Sequence, residues 1–148
     1  MEPLALFLAY AQDFEKTVVD DDWQRLEGYF DEDATYHVDS ELFGCQLAGR
    51  SAVFAGLKKS LDGFDRRFDK RRIEVVDGPE VDGDTIRIGW QVTYEKEGLE
   101  PFLLRGRSTV TCRDGRIVAM VDGYDAQASA DAAAWQRGNH LEIDPSYT

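Results

Sequence analysis

The last predicted strand of the chain places an acidic side chain among apolar ones. In the segment DGRIVAMVDGY, Asp122 alternates in phase with Val118, Met120 and Tyr124, so the four side chains are expected on one buried face. Burial disfavours the charged form of a carboxyl group and raises its pKa, which suits a general acid or base near neutral pH. The alternative is a structural aspartate, hydrogen-bonded to backbone or to an arginine such as Arg107.

Tyr36 is the second candidate, because it alternates in phase with Val38 in the predicted strand 33–40. Its hydroxyl can donate a hydrogen bond to a ligand oxygen; the alternative is an amphipathic core residue. His37 falls in the opposite phase and is expected to face away. The chain has only two histidines, His37 and His140, which excludes a zinc site built on three histidines. We expect no metal and no cofactor.

The composition narrows the class of protein. The 148 residues include 17 Lys and Arg against 29 Asp and Glu, a net charge of −12, and 43% of them are apolar. These values predict one folded domain, and the negative charge argues against nucleic acid or an anionic membrane as partner. Cys45 and Cys112 form no CxxC motif, and the first residues lack the basic region of a signal peptide. We therefore expect a soluble, cytoplasmic protein.

Helical periodicity dominates the first part of the chain. It predicts a first helix, a short second helix capped by Asp21 in a capping box with Gln24, and a third helix capped by Ser51 after a loop that leads through Gly49 and Arg50. The strand 33–40 lies between the second and third helices. The apolar residues that define the helices are Leu4, Phe7, Leu8, Ala11, Phe14 and Val18, then Trp23, Leu26, Tyr29 and Phe30, then Val53, Phe54, Leu57, Leu61 and Phe64.

A period of two replaces the helical pattern in the second half. Asp82-Gly83 and Asp114-Gly115 each separate two alternating runs, which is a strong hairpin signal, and Lys96-Glu97-Gly98 connects the middle pair. A short helix is predicted in the segment ASADAAAWQR. The four predicted strands are 71–77, 85–95, 101–112 and 116–124. Their inward-facing residues are expected to be Ile86, Ile88, Trp90 and Val92, then Phe102, Leu104, Gly106, Ser108 and Val110, then Val118, Met120, Asp122 and Tyr124.

This order of elements is typical of an α+β domain. Helix–helix–strand–helix and then a four-stranded antiparallel meander predict one curved mixed sheet that buries one face against helices. We expect a single domain over residues 1–125, with 126–148 forming a short C-terminal helix and tail. The basic run RRFDKRR at 66–72 is expected at a helix C-terminus, which favours cations, rather than in a phosphate-binding patch.

The same order, with the segments YFDEDATYHV and DGRIVAMVDGYD and the Gly-Arg pair that opens the third helix, resembles the nuclear-transport-factor-2-like superfamily. Within it, the chain is most similar to the SnoaL-like, or polyketide cyclase-like, group, whose relatives include ketosteroid isomerases and limonene-epoxide hydrolases. The resemblance covers residues 3 to about 125. It implies a cone-shaped, cystatin-like α–β barrel around a deep apolar pocket, usually in a dimer.

The catalytic residues of the ketosteroid isomerases are not matched. Their base, oxyanion tyrosine and second acid fall on Val38, Phe14 and Ser108, so the resemblance does not support isomerase chemistry of that kind. The last-strand aspartate that SnoaL-type cyclases use as acid and base matches Asp122.

The limonene-epoxide hydrolases are matched in part. Their tyrosine and last-strand aspartate correspond to Tyr36 and Asp122, but their asparagine falls on Val38. In addition, Arg87 and Gly89 stand where an Arg-x-Asp pair is needed. The triad that activates water in those enzymes is therefore incomplete here.

Two functions from different classes follow. The first is a small cofactor-independent enzyme of cyclase, isomerase, hydrolase or dehydratase type, acting on an apolar oxygenated molecule with Asp122 as proton shuttle and Tyr36 as hydrogen-bond donor. The second is a non-catalytic small-molecule-binding or dimerisation module of the same fold. The predicted pocket wall consists of Phe14, Val38, Phe54, Trp90, Leu104, Ser108, Met120 and Tyr124.

The sheet face opposite the pocket is predicted to be polar. The resemblance implies back-to-back packing of two sheets there, and Arg87, Arg105 and Arg107 would reduce the repulsion between two acidic chains. We therefore expect a homodimer through this outer face. The outer face comprises Thr85, Arg87, Gly89, Gln91, Thr93, Leu103, Arg105, Arg107, Thr109 and Thr111.

Overall fold

The computed structural model describes residues 1–40 and 44–148, and its elements follow the predicted α+β order. The helices are α1 (Pro3–Asp20), α2 (Arg50–Gly63) and α3 (Ala126–Asn139), with 3-10 turns at Gln24–Tyr29 and Asp65–Arg67. The strands are β1 (Phe30–Asp39), β2 (Cys45–Ala48), β3 (Lys70–Asp82), β4 (Thr85–Glu95), β5 (Phe102–Arg113) and β6 (Arg116–Gly123). No helix in the described part of the chain is long and apolar enough to cross a membrane.

The six strands form one open, curled sheet in the order β2-β1-β6-β5-β4-β3. β1 pairs parallel to β6 and antiparallel to β2, while β3 to β6 make the predicted antiparallel meander. The prediction of a mixed sheet wrapped around helices is therefore confirmed. The core lies between the concave face of the sheet and the helices, and its most deeply buried residues include Leu26, Phe30, Val53, Ile86, Val110 and Ile117.

The tight connection between β5 and β6 has the predicted chemistry. Asp114 and Gly115 both have positive φ, 52° and 75°, as a type I′ hairpin turn requires. At the turn between β3 and β4, Gly83 has a φ of 59°. Both Asp-Gly signals therefore mark hairpins, and they set the register of the meander.

The segment between β1 and α2 differs from its prediction. The loop predicted before Gly49 contains the short strand β2, while residues 41–43 lie outside the described part. Four residues with half-exposed alternation are too few for a recognisable strand pattern. α2 begins one residue before Ser51, and its N-cap is Gly49, whose φ of 95° and ψ of 137° favour glycine. Ser51 is therefore not the cap.

The predicted capping box at the second helix is also wrong. Asp21 is the left-handed C-cap of α1, and its carboxylate accepts a hydrogen bond from the Trp23 indole at 2.8 Å. The element that follows is a 3-10 turn without a side-chain cap, and Phe30 already belongs to β1.

A β-bulge changes the predicted face of β6. Thr111 is paired with Ala119 but Cys112 with Ile117, so β6 has an extra residue at this point. Ile117, which is fully buried, therefore takes the inward position that alternation gave to Val118. Alternation is restored from Met120 onward.

The C-terminal segment packs on the same core as the sheet. Asp125 caps α3, with its carboxylate accepting from the backbone N–H of Ala128 at 2.8 Å. Trp135 is buried, and its indole N–H donates to the carbonyl of Glu100 at 2.9 Å. The tail then returns along α2, where the N–H of Asp144 donates to the carbonyl of Gly63 at 2.9 Å.

Arg66, from the basic run, caps the C-terminus of α1 and not that of α2, the helix that precedes it in the sequence. Its guanidinium donates to the carbonyls of Thr17 and Val18, each at 3.1 Å. It also pairs with Asp62 at 2.6 Å and with Asp21 at 3.0 Å. One planar donor group thus joins α1 to α2. Its positive charge also interacts favourably with the negative end of the helix dipole of α1.

We expect Arg66→Ala to lower the free energy of unfolding by about 2 kcal/mol, because it removes charge-assisted hydrogen bonds to two helix carbonyls. Arg66→Lys should recover less than half of this loss, since an ammonium group lacks the planar fork. Urea unfolding measures both. Arg67→Ala is the matched control, and an equal loss in that variant would contradict the special role of Arg66.

Candidate active site

A cavity of about 190 Å³ lies between the concave face of the sheet, α1, α2 and the C-terminal tail. The volume is far more than the ~15 Å³ that a single water needs. Most of the candidate residues named from the sequence line it, namely Phe14, Tyr36, Trp90, Leu104, Ser108, Met120, Asp122 and Tyr124.

Two of the predicted wall residues are not part of the cavity surface. Val38 is only 2% exposed and lies in register with Asp122 inside the core. Phe54 faces the first 3-10 turn, where its ring packs against Trp23 and Phe30 with centroid distances of 5.6 and 5.4 Å. Both side chains are therefore buried in the core and do not line the cavity.

The carboxylate of Asp122 is held by two hydroxyl groups from neighbouring strands. Tyr36 on β1 donates to Oδ2 at 2.5 Å, and Ser108 on β5 donates to Oδ1 at 2.6 Å. The Ser108 hydroxyl in turn accepts from the indole N–H of Trp90 at 2.9 Å. These four side chains form a continuous hydrogen-bonded chain along the cavity wall, and Arg107, considered from the sequence as a partner of Asp122, pairs with Asp77 instead.

Gly106 makes room for this arrangement. A Cβ atom at Gly106 would lie 2.6 and 2.7 Å from two ring atoms of Trp90, so the indole lies directly over the backbone of β5. The same indole contacts Tyr124 edge-on, with ring centroids 5.6 Å apart. A glycine in the middle of a strand thus fixes the position from which Trp90 reaches Ser108.

Burial controls the ionisation of the site. Desolvation raises the pKa of Asp122, and the hydrogen bonds from Ser108 and Tyr36 oppose that shift because they favour the carboxylate. Burial and the nearby Asp122 charge raise the pKa of Tyr36 well above its usual range. Tyr36 therefore stays a neutral hydroxyl, and Asp122 is the group of this pair that can change its protonation state.

A second polar cluster lines the same cavity. The guanidinium of Arg71, on β3, donates to Asp65 at 2.8 Å and also pairs with Glu15 on α1. The hydroxyl of Tyr94, on β4, donates to the same oxygen of Asp65 at 3.0 Å. We call Glu15, Asp65, Arg71 and Tyr94 the Arg71 cluster. The sequence indicated none of its members, because they are distant in the chain and Arg71 belonged to an apparently solvated basic run.

Tyr10 and Tyr147 are further cavity residues that sequence reasoning missed. Tyr10 on α1 is only 5% exposed, lines the cavity, and has no hydrogen-bond partner for its hydroxyl among the residues that the structure describes. Tyr147 comes from the tail, and its ring lies 5.6 Å from that of Tyr36. Tyr10 was detectable as part of the apolar helical pattern around Phe14, but nothing local marks Tyr147.

Within the described residues, no group of three or more His, Cys, Asp and Glu side chains is arranged to hold a metal ion. The carboxyl and hydroxyl groups of the cavity can transfer protons and form hydrogen bonds.

The sequence profile of the SnoaL-like domain family matches residues 11–120. The chain belongs to the SnoaL-like family. The matched segment runs from α1 into β6, so it ends just before Asp122 and excludes Tyr10, α3 and Tyr147. No curated protein has a significantly similar sequence.

Solved structures share the fold of this SnoaL-like chain. TerC co-crystallised with polyporic acid has a TM-score of 0.65 and 18% identity, over 87% of this chain and 95% of that one. A candidate SnoaL-like polyketide cyclase from Shewanella denitrificans OS-217 has a TM-score of 0.64 and 17% identity, over 89% and 96%. A protein of unknown function with a cystatin-like fold from Xanthomonas campestris has a TM-score of 0.64 and 18% identity, over 91% and 98%. At these identities the likeness shows the fold alone.

We expect Tyr10→Phe to leave the free energy of unfolding unchanged within about 0.5 kcal/mol or to raise it, because no protein hydrogen bond is lost. The matched control is Tyr29→Phe, whose hydroxyl donates to Asp13 at 2.6 Å in a part-buried position. That variant should lose about 1 kcal/mol. Denaturant unfolding compares the two, and a larger loss in Tyr10→Phe would mean that its hydroxyl has a structural partner.

Proposed function

We propose that this SnoaL-like protein is a cofactor-independent enzyme that moves protons on an apolar, oxygenated small molecule bound in the cavity. The observation that carries the proposal is the buried carboxyl group of Asp122, which faces the cavity with hydroxyl groups on both of its oxygens. A buried acid with a raised pKa and defined partners, in a cavity with apolar walls, is a frequent property of proton-transfer sites.

The geometry suggests a role for each group. As a carboxylate, Asp122 takes a proton from a carbon next to a ligand carbonyl, and the electron pair of that C–H bond moves to the carbonyl oxygen as an enolate forms. The protonated Asp122 then donates to the oxygen of Tyr36, which turns its own O–H toward the enolate oxygen. Return of the proton from Asp122 to a different carbon restores the carboxylate. Ser108, held by Trp90, keeps the carboxyl group in place throughout.

The comparisons support the general class of this proposal. The family and the likeness to a candidate polyketide cyclase fit a ligand with several oxygens on an apolar body. TerC, a protein of this fold, was co-crystallised with a small organic molecule, polyporic acid. The cavity wall, with Phe14, Trp90, Leu104 and Met120, fits an apolar body of this kind.

Proton exchange into a simple ketone tests the reaction type. We expect the protein to accelerate deuterium incorporation next to the carbonyl of 2-tetralone in D₂O, as followed by proton NMR. Asp122→Asn should lose about 100-fold of that acceleration, the lower end of the usual contribution of a general base. Asp131→Asn, on the exposed side of α3, is the matched control and should keep it.

Two outcomes would contradict the enzyme proposal. If Asp122→Asn exchanges protons as fast as the wild type, Asp122 is not the base. If 2-tetralone raises the melting temperature but the wild type gives no exchange, the non-catalytic binding module becomes the better description, since any ligand of the native state stabilises it.

We expect the carboxyl group of Asp122 to titrate above the ordinary aspartate pKa of about 3.9, because the effect of burial on its pKa outweighs that of the two hydrogen bonds. Between the ordinary and the raised pKa, the native state binds more protons than the unfolded chain, so this group lowers stability as pH rises through that window. The stability of the wild type relative to Asp122→Asn should therefore fall from pH 4 to pH 7. Carbon-13 NMR and urea unfolding measure the two effects, and a titration at or below 3.9 would exclude the role as acid and base.

We further propose that two chains pair through the outer face of the sheet. On that face Arg105 donates to Gln91 at 2.8 Å and Arg107 to Asp77 at 3.1 Å, so its charges are locally balanced. Leu103 is 53% exposed among them and offers an apolar centre. An interface of this composition is within the range of protein–protein contacts, which are only about as apolar as ordinary surface.

Sedimentation equilibrium at tens of micromolar tests the homodimer. We expect a dimer that moderate salt strengthens, because salt screens the net charge of −12 on each chain. Arg105→Glu should weaken it, whereas Arg116→Glu, which makes the same charge change at the hairpin between β5 and β6, should not. A monomer at both low and moderate salt would contradict the proposal, and a dimer insensitive to Arg105→Glu would place the interface elsewhere.

The free thiols Cys45 and Cys112 support a further proposal, that the protein works in the reducing cytoplasm.

A further inference from the structure

The Arg71 cluster is a polar part of the cavity that the proton-transfer site does not use. Its members come from α1, the second 3-10 turn, β3 and β4, whereas Asp122 and its partners lie on β1, β5 and β6. In the sheet Tyr94 is opposite Phe102, which is six residues before Ser108 on β5. Six residues of β5 therefore separate the strand positions of the two polar regions, which occupy different parts of the cavity wall.

The charges of the cavity wall are unbalanced. Among its described residues Arg71 is the one cation, while Glu15, Asp65 and Asp122 are acids. The guanidinium of Arg71 is already shared between Glu15 and Asp65, and its side chain is only 14% exposed. A ligand carboxylate here would be the third negative group around one guanidinium, which like-charge repulsion at low dielectric disfavours.

Tyr10 is the independent sign of a ligand with hydrogen-bonding oxygens. Its hydroxyl is in the cavity wall, in the electrostatic range of Asp122 at one end and of Glu15 and Arg71 at the other. Among the described residues this hydroxyl has no hydrogen-bond partner, although Tyr10 as a whole residue is nine-tenths buried. Since no fully buried side-chain polar atom in the described part of the structure lacks a partner, this hydroxyl is open to the cavity, where water or a ligand can complete its hydrogen bonds.

We propose that the Arg71 cluster and Tyr10 form a subsite that selects uncharged ligands bearing hydroxyl or carbonyl oxygens and rejects carboxylate anions. The proposal rests on the function proposed above, because it names the class of substrate for the same cavity. A ligand hydroxyl can accept from Tyr10 or Arg71 and donate to Glu15 at the same time, whereas a carboxylate can only accept.

Two probes with the same bicyclic body test this selectivity, 2-naphthalenemethanol and 2-naphthoate. Calorimetric titration of the wild-type protein at pH 8 should give at least tenfold tighter binding of the alcohol. Tyr10→Phe should weaken binding of the alcohol about three- to tenfold and leave that of 2-methylnaphthalene unchanged, since one hydrogen bond is lost. Equal or tighter binding of 2-naphthoate by the wild type would overturn the proposal.

Removing one negative charge tests the cluster itself. Glu15→Gln keeps a side chain that can accept from Arg71 but neutralises the acid, so the preference for the alcohol over 2-naphthoate should fall about tenfold. Glu32→Gln is the matched control, because Glu32 is exposed on β1, and it should keep the wild-type ratio. An unchanged ratio in Glu15→Gln would overturn the role of the cluster.

The experiment separates this proposal from the proton-transfer function. Selectivity for the alcohol can fail while Asp122 still exchanges protons into 2-tetralone, in which case only the subsite is wrong. Binding of neither probe to the wild type would overturn the subsite, and the titration of Asp122 would then decide the proton-transfer proposal by itself.

Discussion

A carboxyl group buried at the wall of a cavity needs hydrogen-bond partners, and the rest of this structure supplies them to Asp122. The partners come from both neighbouring strands, Ser108 from β5 and Tyr36 from β1. Tyr36 can reach it only because β1 runs parallel to β6, with Val38 in register with Asp122. The parallel pairing of β1 and β6 therefore brings together two site residues that are 86 positions apart in the sequence.

Several polar groups in the cavity wall lower the stability of the fold. The hydroxyl of Tyr10 faces the cavity without a partner among the described residues, and two acids, Glu15 and Asp65, share the guanidinium of Arg71. A sequence selected for stability alone would replace such groups with apolar side chains, since a buried ion pair seldom stabilises more than a well-packed hydrophobic pair. Polar groups retained at this cost are the usual mark of a site that another molecule completes.

Most of the fold, but only about half of the candidate site, could be predicted from the sequence. Alternation placed Asp122, Ser108 and Trp90 on the inner face, because strand period and hairpin turns are local properties. It failed at Val118, where a bulge adds a residue that no periodicity reveals, and at β2, which is too short to show a period. The Arg71 cluster could not be foreseen, because its contacts join residues up to 56 positions apart whose types suit solvent equally well.

The family match covers most, but not all, of the residues that line the cavity. Residues 11–120 contain the packing that defines a SnoaL-like cone, yet Asp122, Tyr124 and Tyr147 lie after that segment and Tyr10 just before it. Tyr10 and Tyr147 also belong to the buried core, so side chains outside the matched segment complete both the packing and the cavity wall. Family membership therefore accounts for the fold, whereas the function depends on the particular side chains that line the cavity.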